Sequence, residues 1–175
     1  MQTSEHFIKH DTMTQIIEMK SMIKDMPTNI EGIVKIVQNT LLHQHWAKQY
    51  GIELNEQKIS EVYIRPIDDK LKVLSQKDIH TLLEPISYDK KLIGICRDFS
   101  VLMSSLCREV GIPARARCGF ADYFEERKYI EGHGAGRETV GHAQACTDQE
   151  IPVADRNAGA SCRSRWRLWR WSAPN

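Results

Sequence analysis

The chain has 175 residues, of which 41% are hydrophobic and 27% charged, with a formal net charge of +1 at pH 7. That balance describes an ordinary globular domain and excludes a disordered or fibrous chain, and no run approaches the roughly 18–20 apolar residues of a membrane span. The small net charge hides an asymmetry: from Arg156 onward there are five arginines and no acid, so the residues before them carry −4.

Length and composition suit one domain with a real core and leave room for two lobes. Met1–His6 shows no basic stretch leading into an apolar one, so no secretory signal is expected and the cytoplasm is the default location. The cysteines are Cys96, Cys107, Cys118, Cys146 and Cys162. Their odd number and irregular spacing argue against a disulfide framework. No CxxC or HExxH pattern occurs, so no metal site is expected.

In chain order, Met13, Ile16, Ile17, Met19, Met22 and Ile23 recur near a 3.6 period, predicting an amphipathic helix from Thr12 to about Lys24. Thr28 with Glu31 offers a capping box for a second helix, running to about Tyr50 and stopped by Gly51. His43, His45 and Trp46 lie on it. The two histidines are two apart, point to different faces and are expected to serve packing. Ile59–Ile67 is either a helix stopping before Pro66 or an extended piece. Lys70 to Leu83 is expected to be helical, and Glu84–Asp89 a loop.

The next stretch carries the chemistry. Cys96 stands where a helix is expected to begin, and Phe99, Val101, Leu102, Met103, Leu106, Cys107 and Val110 give that helix an apolar majority. Ser100, Ser104 and Ser105 are small enough for close packing. Gly111 ends the helix and Pro113 prevents a restart. A strand is expected over residues 114–124, with a bulge or close backbone approach at Gly119. At a helix N-terminus, backbone N–H groups and peptide dipoles favour a thiolate, the nucleophilic form of cysteine. Arg97 adjoins the thiol and is either a further source of positive potential or solvated. Asp98 suits the first turn of a helix. Cys107 and Cys118 are expected to be packing residues, and Arg115 and Arg117 to share one strand face. Beyond Phe124 no sustained helical or strand period is visible.

Gly94, Cys96, Cys107-Arg108, Gly111-Ile112-Pro113-Ala114-Arg115 and Gly119-Phe120 together resemble the core of the transglutaminase-like superfamily. The helical residues 12–91 resemble the N-terminal lobe of the bacterial single-domain members, and together the resemblance covers roughly residues 10–133. It implies an α+β, papain-like domain: a helical N-terminal lobe (1–91), a partial transglutaminase-like core with an incomplete antiparallel sheet (92–155), and a basic Arg/Trp tail (156–175). It also implies a Cys-His-Asp triad in chain order. Cys96 maps onto the nucleophile, His133 onto the base and Asp148 onto the orienting acid, with His142 and Asp155 as the alternatives.

Departures from the family pattern follow Phe124. Gly134 stands after His133 where the family usually has an aromatic, and Asp148 lacks the family's nearby Trp. The change of texture resembles a shifted reading frame or a divergent terminus. The function implied is attack by Cys96 on an amide or peptide carbonyl through a thioester, hydrolytic rather than crosslinking, with no cofactor, no metal and no nucleic-acid partner. The alternative is an inactive or truncated domain acting as a binding module.

Overall fold

The structure is a computed structural model and describes residues 4–120 and 139–145. Among the described residues four α-helices and four strands follow one another in the order α1 (Ile30–Thr40), β1 (Leu41–His43), α2 (Glu56–Ser60), α3 (Ile67–Gln76), β2 (Leu92–Gly94), α4 (Cys96–Glu109), β3 (Ala114–Phe120) and β4 (Thr139–Ala145). Short 3-10 turns occupy Ser4–Phe7, Lys20–Ile23, Gln44–Tyr50 and Glu61–Tyr63.

The core gathers on α4. Its Phe99, Leu102, Met103, Leu106 and Cys107 pack with Ile33, Val34, Ile36 and Val37 of α1 and with Ile67, Leu71 and Leu74 of α3. Burying an aliphatic side chain of this size contributes about 1.5–3 kcal/mol. The helix also buries Ser100, Ser104 and Ser105. The Ser105 hydroxyl donates to the Thr14 carbonyl, tying α4 to the N-terminal segment.

Several elements differ from the periodicity. The helix expected over Thr12–Lys24 is an irregular segment with one 3-10 turn. Asp68, in the first turn of α3, accepts hydrogen bonds from the backbone N–H groups of Ile17, Glu18 and Met19. Those donors are committed to a carboxylate and do not build a helical ladder. The second helix starts at Ile30, capped by Asn29, whose side chain accepts from Gly32 N at 2.7 Å. The helix then ends at Thr40 rather than Tyr50, because Leu41–His43 is drawn out to pair with β2. Gly51 does stop the 3-10 turn that follows, with φ of 73°. The helix expected from Lys70 is displaced to Ile67–Gln76, and the stretch around Ile59 forms the short α2.

The strands form two ribbons. The expected sheet was antiparallel, yet β1 and β2 pair in parallel: Leu41 with Leu92, Leu42 with Ile93 and His43 with Gly94. A parallel pair needs a long crossover, which residues 44–91 with α2 and α3 provide. The second ribbon, β3 with β4, is antiparallel. Its register runs without a bulge through Gly119 opposite Val140. β4 falls where no strand period was visible: Thr-Val-Gly-His-Ala-Gln-Ala has weak intrinsic preference, and pairing to β3 draws it into line. Both strands lie against α4.

Between α4 and β3 the chain turns as expected. Gly111 has φ of 77°, a conformation that a side chain would strain, and its N–H donates to Arg108 O while Ile112 N–H donates to Cys107 O. Arg108 fastens the junction, its Nε donating to Ala114 O at 2.9 Å and a terminal nitrogen to Asp11 at 3.2 Å. Among the described residues no helix is long and apolar enough to cross a membrane.

Candidate active site at the head of helix α4

Cys96 is the first residue of α4, two residues beyond β2. The order strand, one extended residue, helix opens α4 at the cysteine, where the first N–H groups of a helix lack a partner one turn back. Cys96 is half-buried. Gly94 makes the approach close. A Cβ there would lie 3.1 Å from Asp98 Cβ and 3.3 Å from a Leu41 methyl, tight contacts that need a shift of a few tenths of an ångström to relieve.

Asp98 sits directly behind the cysteine and is 2% exposed. One carboxylate oxygen accepts from the Ile95 N–H at 2.8 Å, closing the start of the helix. The other lies 3.0 Å from the Arg97 guanidinium and 3.5 Å from Lys70 Nζ. The expectation for Asp98 was a first-turn acid favoured by the dipole; it is also the centre of a buried charge cluster. Lys70, itself 2% exposed, donates to Glu61 O at 2.9 Å. Burial holds the Lys70 ammonium below its usual range, with the Asp98 carboxylate opposing that effect. Glu61 completes the cluster, accepting from Ile93 N–H of β2 at 2.8 Å and pairing with Lys77. Arg97 resolves differently from either expectation, because its guanidinium is committed to Val62 O and Asp98, both at 3.0 Å.

On the opposite side of the cysteine lies a residue that sequence reasoning assigned to packing. His43 Nε2 is 3.4 Å from Cys96 Sγ. The parallel register sets His43 beside Gly94, so the end of β1 delivers an imidazole to the head of α4. Its other nitrogen, Nδ1, accepts from the backbone N–H of His45 at 3.2 Å. The ring is flanked by His45, with centroids 5.5 Å apart and planes 21° apart, and by Phe99 at 6.1 Å. The signal for this placement was faint. Three residues of strand pair with a partner about fifty positions away, and no local period records that.

Of the predicted site residues, the structure therefore places Cys96. His133, Asp148 and Asp155 lie outside the described residues. His142 is on β4, opposite Arg117, in a strand that borders the cysteine's helix. Cys107 is fully buried, and burial pushes its thiol up to about 11, which suits a packing residue. Among the described residues no group of His, Cys, Asp and Glu is arranged to hold a metal ion.

Comparison with known proteins gives one finding. Residues 53–148 match the family model of the transglutaminase-like superfamily, a little over half of the chain. No curated protein and no solved structure matches. The matched span contains the cluster from Glu61 to Asp98, the cysteine helix and both strands of the antiparallel ribbon. His43 lies upstream of it. With a cysteine at a helix mouth and that match around it, the chain belongs to the transglutaminase-like superfamily.

Proposed function

We propose that the protein is a cysteine-dependent acyl-transfer enzyme that hydrolyses an amide or peptide bond. The observation that carries this reading is Cys96 Sγ at the head of α4 with an imidazole nitrogen 3.4 Å away. The helix terminus favours the thiolate, and the cysteine is half-buried rather than sealed in the core.

In the proposed reaction the thiol proton passes to a histidine and the thiolate attacks the carbonyl carbon. The carbonyl π pair moves to oxygen. The tetrahedral adduct collapses, the C–N bond breaks, and the histidine returns the proton to the leaving amine. Water then adds to the thioester with its proton taken by the same histidine, and the acid product leaves as the thiol is restored. His133 is proposed as that base and Asp148 as the acid orienting it, on the family's chain order, with His142 and Asp155 as the alternatives. Hydrolysis is favoured over amine transfer because the resemblance is to the bacterial single-domain type. The proposed division remains a helical lobe to residue 91, a papain-like core to residue 155 and a basic tail. A peptide or protein amide is the proposed substrate, with no nucleic acid. The cytoplasm is the proposed location, a setting that suits an odd complement of cysteines with Cys96 and Cys107 unbridged.

The test is acyl-enzyme trapping. The protein is mixed with p-nitrophenyl acetate, quenched in acid and digested. An acetyl group is expected on the Cys96 peptide, absent from Cys96→Ala and decaying at the same rate with or without added methylamine. Loss of trapping in His133→Ala but not in His142→Ala assigns the base. An unmodified Cys96 peptide in the wild-type protein overturns the enzyme reading and leaves a binding module.

A further inference from the structure

One backbone bond points to which nitrogen of the imidazole beside Cys96 carries the proton. A backbone N–H is always a donor, so the His45 N–H bonded to His43 Nδ1 requires Nδ1 to be the bare nitrogen. The neutral ring then carries its proton on Nε2, the atom 3.4 Å from Cys96 Sγ. His43 therefore presents a donor to the sulfur. It is poorly built to act as the base. Nε2 already holds a proton, and taking up a second would place one on Nδ1, against the His45 N–H.

We infer that His43 is the side-chain oxyanion donor of the site, the partner of the backbone N–H groups at the head of α4. The inference rests on the acyl-transfer reading above. When the thiolate adds to a carbonyl, the S–C bond forms, the π pair moves onto oxygen, and that oxygen lies two bonds from Sγ. Effective oxyanion donors stand about 2.7–3.1 Å from it. A donor already 3.4 Å from the sulfur reaches that position with a small movement. On collapse the oxygen pair re-forms the carbonyl, the leaving group departs, and the Nε2 proton stays on His43 throughout. The ring is preorganised for this. His43 ends a buried strand paired to β2, its Nδ1 is tied to the following turn, and His45 and Phe99 flank it. Held so, it stabilises charge with little reorganisation at the moment of reaction.

Two chemistries at the same sulfur separate this role from others. Alkylation by iodoacetamide develops no oxyanion, whereas acylation by p-nitrophenyl acetate does. At a pH where alkylation has reached its plateau, His43→Leu is expected to alkylate within about threefold of wild type yet acylate about 10²-fold more slowly. His43→Gln, whose amide N–H reaches similarly, is expected to recover most of the acylation. The inference is overturned if His43→Leu acylates normally, or if His43→Gln is as slow as His43→Leu. A parallel loss of plateau alkylation and acylation also overturns it, making His43 a support of the nucleophile. Should the variants fail to fold, 15N–1H correlation of the wild-type imidazole decides the premise. A protonated Nε2 and bare Nδ1 at neutral pH are expected; the reverse tautomer overturns the inference. An acylation-silent wild type with Cys96 still alkylated removes the acyl-transfer reading and this inference with it. Loss of acylation in His43→Leu alone removes neither Cys96 nor its base.

Discussion

The two sides of the head of helix α4 are built on opposite principles. Behind Cys96 lies a dry cluster of charges, Glu61, Lys70 and Asp98, each 4% exposed or less and each bonded to backbone or to one another. In front lie the half-buried thiol and the half-buried imidazole of His43. The rear cluster pins β2 and the first turn through the N–H groups of Ile93 and Ile95. The front pair is half-buried and carries the proposed chemistry. The difference teaches that position and reactivity are held by separate residues, so the two should respond separately to substitution.

The largest effect is expected at the rear. Lys70→Met removes a buried ammonium and leaves Asp98 with less compensation. Breaking a buried pair in this way costs about 3–5 kcal/mol, and the retained Arg97 contact puts this case near the lower end. Urea unfolding measures it, and a loss below about 1 kcal/mol would show that the cluster does not secure the fold. In the fraction that remains folded, plateau alkylation of Cys96 should be unchanged. A slower plateau would mean that the two sides are coupled and would break the comparison.

Glu61→Gln is a smaller disturbance of the same side. It keeps an oxygen for the Ile93 N–H but removes the charge facing Lys77. Loss of charge-assisted bonds is worth about 1.5–3 kcal/mol, read from the same unfolding curves. The smallest effect is expected far from the site. At Asp11, partial burial raises the carboxyl pKa, but bonds from Met13 N–H, Arg108 and Thr14 outweigh it and hold the group below its ordinary value. A depressed carboxyl contributes stability above its unfolded pKa and loses it as pH falls through the folded one. Asp11→Asn should therefore lower stability slightly at neutral pH and flatten its acid limb below about pH 4. An unchanged acid limb would show that the Arg108 contact carries no such linkage.

How much of this was legible follows from where the determinants sit. The stretch from Cys96 to Ala114 was readable because its signals are local: an apolar helix face, Gly111 as a stop and Pro113 behind it. The N-terminal helix was misread because its apolar spacing is real but its backbone donors go to Asp68, about fifty residues away. β1 was absorbed into a helix for a similar reason: Leu41-Leu42-His43 becomes a strand only through pairing with Leu92–Gly94. Asp98 was recognised as a first-turn acid, yet its meeting with Lys70 depends on how α3 packs against α4. His43 was missed with β1, and its role became visible only when the register set it beside Gly94.

On the proposed function the head of α4 makes Cys96 an activated nucleophile, and its alkylation rate tests that most directly. The protein is treated with iodoacetamide at pH 6, and modification of the Cys96 peptide is timed against a free cysteine peptide. The account predicts clearly faster modification at Cys96, with buried Cys107 unreactive while the protein stays folded. A Cys96 rate no greater than that of the free thiol would contradict it.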